Sequence, residues 1–189
     1  MKTRYAFATL TMLTLLFALS ASAFAKETYA VDLQHSAVIF KVKHLGASFT
    51  YGRFRKVSGT IVVDGDRSSV NIQVDPNSIY TADRDRDKHL RSPDFLNTKQ
   101  FPTLSFKSKT VRHRGNIYVV KGDLTLHGKT RGVTMRMKHI GSAKTPQGTP
   151  MVGFEGSFSV KRSDYGMSKM IPMVGDEITL TIAVEATRK

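Results

Sequence analysis

The sequence predicts an all-β chain that closes into an antiparallel barrel of eight strands, with a short helical segment capping one end. Three observations carry this. About eight segments alternate with period two, each with one face apolar from end to end, as a barrel with an oily interior requires. Turn-forming residues separate most of these segments, as in Asp64-Gly65-Asp66 and Arg114-Gly115-Asn116. Only the stretch between Thr81 and Asn97 takes on a helical character. Such a barrel either fills its bore with its own side chains or holds a long apolar guest, and function turns on which of the two applies.

The elements follow in order. From Ser36 to Lys43, Val38, Phe40 and Val42 share one face while Lys41 and Lys43 take the other. From Arg53 to Asp64, Val57, Ile61 and Val63 face one way; Phe54 has the opposite parity, which predicts a bulge near Lys56. Val70, Ile72 and Val74 form the third strand, ended by Asp75-Pro76-Asn77, whose proline cannot donate to a ladder. In the helical stretch, Ser92-Pro93-Asp94 reads as a second helix start, and Leu90, Phe95 and Leu96 are apolar contacts suited to plugging a barrel end. Alternation resumes with Leu104 and Phe106, then Tyr118, Val120, Gly122, Leu124 and Leu126. A turn at His127 to Thr130 leads to Val133, Met135 and Met137, and the longest loop is expected from Gly141 to Pro150. Val152, Phe154, Phe158 and Val160 make the seventh strand, and Ile178, Leu180, Ile182 and Val184 the eighth. Between these two, Ser163 to Gly175 is rich in methionine without a regular period, which suits either the rim of an adaptable apolar pocket or a cover over the core.

Composition narrows the function. Residues 1–25 have the parts of a secretory signal: Lys2 and Arg4, an apolar run from Ala6 to Leu19, and Ala23-Phe24-Ala25 as the cleavage pattern, so the mature chain is expected to begin at Lys26 as one domain, residues 26–189. No cysteine is present, which removes thiol nucleophiles, Cys-ligated metals and disulfides. The formal charge is +14, or +12 without the leader. In an exported protein without aromatic-interleaved basic runs, this favours anionic membrane surfaces or an anionic ligand headgroup over nucleic acid, with plain solubility as an equal explanation of the charge.

No catalytic constellation stands out. Gly128-Lys129-Thr130 lacks the upstream glycine of a phosphate loop, since Asp123 occupies that position. Asp83, Asp85, Asp87 and Asp94 have calcium-loop spacing, but Lys88 stands where glycine is required. The histidines 35, 44, 89, 113, 127 and 139 show no metal-binding spacing, and no nucleophile elbow is present. The expectation is therefore no catalytic residue, no metal and no cofactor.

Five blocks carry a family resemblance: Val42-Lys43-His44-Leu45-Gly46 with Tyr51-Gly52-Arg53-Phe54; Arg86 to Asn97; Phe101 to Phe106; Gly122 to Thr130; and Arg162-Ser163-Asp164-Tyr165-Gly166-Met167. In this order they closely resemble the YceI family of exported bacterial proteins. The resemblance implies an extended, lipocalin-like barrel that binds a polyisoprenoid chain, a quinone tail or polyprenyl lipid, in the periplasm. Strand parity places Phe40, Val42, Ile61, Ile72, Leu104, Phe106, Tyr118, Leu124, Leu126, Met135, Phe154, Phe158, Leu180 and Ile182 on the lining, with Leu90, Phe95, Tyr165 and Met167 at the ends. Lys88, His89, Arg91 and Arg162 are the candidate headgroup contacts. Two alternatives stand beside this non-enzymatic carrier. One is a solidly packed structural or membrane-surface module; the other is an enzyme acting on an isoprenoid lipid, which needs a histidine and a carboxylate at one barrel mouth.

Overall fold

The alternating segments form antiparallel strands joined into one closed sheet. The structure is a computed structural model that describes residues 26–189; the expected leader at residues 1–25 lies outside the described residues. The strands are β1 (Glu27–Val31), β2 (Ala37–His44), β3 (Ser48–Phe54), β4 (Val57–Val63), β5 (Ser69–Val74), β6 (Ile79–Tyr80), β7 (Leu104–Arg114), β8 (Ile117–Leu126), β9 (Lys129–Lys144), β10 (Pro150–Lys161) and β11 (Val174–Arg188). One helix, α1 (Arg84–Arg91), and two short 3-10 turns, Pro76–Ser78 and Arg162–Tyr165, complete the described chain.

Eight wall positions result. β1 and β2 lie end to end along one edge of β11, and β4 and β3 pair with them in the same order. β5 and β6 continue the third position beside β4 and β3. β7, β8, β9, β10 and β11 supply the rest, and the β1–β11 pairing closes the ring. Where a bulge is expected the strand instead breaks, β3 ending before Arg55 and β4 starting after Lys56, and this break lets Phe54 and Val57, of opposite parity, both become buried.

Three further expectations are corrected. β1 was not read from the sequence, because five residues with only Tyr29 and Val31 alternating give too short a pattern. The loop expected from Gly141 to Pro150 shrinks to residues 145–149, since Gly141, Ser142 and Ala143 pair with Gly153, Val152 and Met151. Backbone ladders need no apolar side chains, so the hairpin runs on past the core. Ser92-Pro93-Asp94 starts no second helix. Ser92 caps the C-terminus of α1, its N–H donating to His89 O at 3.0 Å, and the Leu96 N–H returns to Leu90 O at 3.0 Å. The following turn drives Phe95 and Leu96 into the barrel end.

Local chemistry accounts for α1. Asp83 accepts from the Arg86 N–H at 2.9 Å as the N-cap, acids occupy the first turn, and Lys88, His89 and Arg91 the last. Asp87 is buried and accepts from both the Thr81 N–H (2.8 Å) and hydroxyl (2.6 Å), tying α1 to the wall. Of the acids with calcium-loop spacing, Asp83 is thus engaged as cap and Asp87 as tie, and Asp94 pairs with His89 at 3.0 Å. At the same end, the β8–β9 turn places His127 and Gly128 at φ +51° and +71°, as a two-residue hairpin of this type requires. His127 Nδ1 lies 3.0 Å from Tyr165 O, and its ring packs edge-on to Phe101. Among the described residues no helix is long and apolar enough to cross a membrane.

Candidate ligand-binding cavity

Inward side chains of every wall position leave the bore hollow. A cavity of about 650 Å³ occupies it, lined almost wholly by aliphatic and aromatic side chains. This volume lies within the range of sites for small organic ligands. Gly52 helps shape the wall: a Cβ there would overlap the Phe40 ring, which lies across β3 in the space glycine leaves.

One pole is shut. Leu90, Phe95 and Leu96 from α1 and its following turn, with Met167 and Arg162, form the floor. Arg162 is 2% exposed, and its guanidinium donates to Met167 O (2.6 Å), Val174 O (2.8 Å) and Gly175 O (2.9 Å). Burial lowers its pKa from the ordinary arginine value, opposed by the nearby charge of Asp176. Desolvation pushes the Asp176 carboxyl up, but hydrogen bonds from Ser163 and the charges of Arg162 and Lys161 bring it below its usual value.

The opposite pole is open. β5 and β7 pair only from Asn71 to Val74, opposite Lys107 to Leu104. Beyond that ladder the Val70 N–H donates to Ser108 Oγ at 2.8 Å, and β7 shifts register against β8 between Ser108 and Thr110. The mouth is bordered by Gly65 and Ser68 of the β4–β5 turn, Val63, Glu27, Val111 and His113. His113 stacks on Tyr118, with ring centres 5.1 Å apart, and also borders a second groove lined by Arg112, Arg114 and Arg136.

Every residue that strand parity placed on the lining is there, and so are Leu90, Phe95 and Met167. Tyr165 is the exception: at 1% exposed it is buried in the core cluster with Leu96, Leu126 and Met167, because the 3-10 turn at Arg162–Tyr165 takes it off the bore wall. Of the residues expected at a headgroup, Arg162 lies in the floor with its donors engaged. Lys88, His89 and Arg91 do not line the cavity; Arg91 donates to Asn77 O (3.0 Å) and Ile79 O (2.9 Å). The mouth residues Val63, Val111 and His113 went unread as a group because strand divergence, not residue type, creates the opening.

Two clusters bring histidine and carboxylate side chains near one another. Glu27 and His113 share the mouth, but the Glu27 carboxylate accepts from the Tyr29 hydroxyl (2.5 Å) and Arg188 (2.9 Å), and among the described residues no hydrogen bond joins it to His113. Asp32, His35 and Glu185 hold ligand-type atoms within 4.8 Å of one another. They lie where β1 breaks from β2, not on the cavity lining, and His35 Nδ1 sits 2.9 Å from Asp32 and 3.5 Å from Glu185. Its hydrogen bond to Asp32, then the two carboxylate charges, raise the His35 pKa, and the same hydrogen bond lowers that of Asp32. Contact of the His35 ring with the two carboxylates accounts for this grouping.

A family model described as a YceI-like domain matches residues 29–186. A UPF0312 protein of Pseudomonas aeruginosa is 39% identical over 166 residues, covering 85% of this chain and 87% of its own length. Among solved structures, Burkholderia cenocepacia BcnA superposes with a TM-score of 0.75 at 25% identity, over 83% of this chain and 99% of that one. A polyisoprenoid-binding domain from Saccharophagus degradans, implicated in plant cell wall breakdown, has the same fold at a TM-score of 0.65 and 15% identity, over 85% of this chain and 98% of its own.

Proposed function

Because the chain belongs to the YceI-like family, we propose that it binds and carries an isoprenoid lipid non-enzymatically, with the tail in the bore and no cofactor. The observation that carries this reading is the hollow, nearly all-apolar cavity, closed at the α1 pole and open at the other. A solidly packed barrel would have no such space. The Saccharophagus degradans domain, described as polyisoprenoid-binding, supports the same ligand class. The setting proposed is the periplasm, reached by removal of residues 1–25 after Ala25, with a quinone tail or a polyprenyl chain as the cargo.

Geometry suggests how the ligand lies. The tail enters by the mouth with its far end toward Phe95 and Met167, which leaves the headgroup near His113 and the flanking arginines. That placement differs from the α1 cations, since Lys88 and His89 do not line the cavity. At the ~30 Å³ share of a water-sized group, about 650 Å³ holds on the order of 20 carbons, or about four isoprene units. Each unit removes five carbons from water, worth up to ~4 kcal/mol before ordering costs.

Titration of the lipid-free protein with linear prenols of increasing length tests this. Affinity is expected to climb roughly tenfold or more per added unit until about four units are buried, then to level off as further units hang in solvent. Affinity independent of chain length would place the tail outside the bore.

A further inference from the structure

The outer face of β2, β3 and β6 carries a surface that the cavity does not use. Strand pairing sets its rows. From the hairpin tip inward, Lys43 lies opposite Phe49, Lys41 opposite Tyr51, and Ile39 opposite Arg53, which in turn pairs with Tyr80. Val42, Phe40 and Val38 point into the bore, so these neighbours point out. Leu45 at the tip is 62% exposed, Tyr51 59% and Phe49 51%. The methionine-rich segment adjoins the tip, with the Leu45 N–H donating to Met173 O at 2.7 Å. It adds Met170, Ile171 and Met173, the last 50% exposed.

Such a concentration of exposed apolar groups has no role in packing and marks a contact surface. Its charge is one-sided. From Ala37 to Val63 the sequence has no acidic residue but includes Lys41, Lys43, Arg53, Arg55 and Lys56. The Lys41 Nζ lies 5.1 Å from the Phe49 ring centre, and the Arg55 guanidinium 4.9 Å from that of Tyr80. β11 adds Thr179 and Thr181 beside the patch and the exposed Glu177 at its margin.

The groups are also layered. Leu45, Ile171 and Met173 form the extremity, Phe49 and Lys43 come next, and Tyr51 with Lys41 follow about 7 Å further back, at the rise of two strand residues. Aliphatic side chains foremost, then two successive rows that each pair an aromatic ring with a lysine, match the acyl boundary, interface and phosphate layer of a bilayer. An acidic protein partner would answer the charge but gives no reason for this order.

We propose that the β2–β3 tip, the 170–173 segment and the outer β2–β3–β6 face form a docking surface for an anionic lipid bilayer. The docked barrel carries its open mouth on the opposite pole, turned to the aqueous side. The surface therefore holds the protein at the membrane without forming part of the lipid-filled bore. This goes beyond the carrier reading and stands or falls separately from it.

Co-sedimentation of the protein with phosphatidylglycerol-containing vesicles, against pure phosphatidylcholine vesicles, tests it. Binding to the anionic vesicles is expected to exceed binding to the neutral ones roughly tenfold or more and to weaken as salt rises. The double variants Leu45→Ser/Met173→Ser and Lys41→Glu/Lys43→Glu are each expected to lose about tenfold in binding, with thermal midpoint and prenol affinity unchanged. Wild-type protein that ignores anionic vesicles, or either variant binding like wild type, overturns the assignment. Loss of prenol binding with vesicle binding intact counts against the carrier reading alone.

Discussion

Leu124→Arg is expected to abolish lipid uptake, lowering bound prenol per folded molecule at least about tenfold. Leu124 sits on β8 opposite Phe106 on β7, and both line the cavity. An arginine there points into a space of aliphatic and aromatic groups that supply no partner for its charge. Leaving that charge beside an isoprenoid tail costs several kcal/mol, which removes most of the affinity gained by burial. Water follows the guanidinium into the bore, so the loss falls on binding more than on folding. Leu124→Phe separates volume from charge. It fills part of the cavity with apolar atoms and is expected to shorten the longest prenol accommodated while leaving short ones bound. Wild-type lipid recovery in folded Leu124→Arg protein would mean that β8 faces the other way.

Arg162→Met is expected to give the largest loss of stability, about 3–5 kcal/mol by urea unfolding. The guanidinium is the only shared donor for the carbonyls of Met167, Val174 and Gly175 among the described residues, and these belong to the segment that leads from the floor into β11. A buried carbonyl such as that of Met167 left without a donor costs ~1–3 kcal/mol, the part-buried carbonyls of Val174 and Gly175 lose the same donor, and the floor loses the cation that sits 5.9 Å from the Phe95 ring centre. Arg162→Lys rescues little, because a single ammonium cannot reach three acceptors spread in a fork. A loss below ~1 kcal/mol would show that these carbonyls find water instead and that the floor is loosely packed.

How much of this was readable depended on what each feature is made of. The bore lining was legible because strand parity is a local property: Phe40 and Val42, or Leu124 and Leu126, must share a face whatever their partners. The irregularity near Lys56 was legible for the same reason, from the clash in parity between Phe54 and Val57, though it is a strand break in place of the expected bulge. Tyr165 was misplaced because it lies outside any strand, where a 3-10 turn decides its direction. The cations of α1 were read as headgroup contacts because they cluster in sequence. Arg91 proves to bond backbone carbonyls, and Lys88 and His89 lie off the cavity. The mouth was out of reach altogether. It arises where β5 and β7 part after Asn71 and Lys107, a long-range event with no local signature.

The central claim is that the barrel is hollow and that its hollow is filled by an apolar chain. Native mass spectrometry of the protein purified after expression with its own leader measures this most directly. The expected species is heavier than the bare chain by the mass of an isoprenoid lipid, released as one component on organic extraction and missing from Leu124→Arg. A wild-type protein that carries no such mass, and takes up no prenol when offered it, would contradict the account.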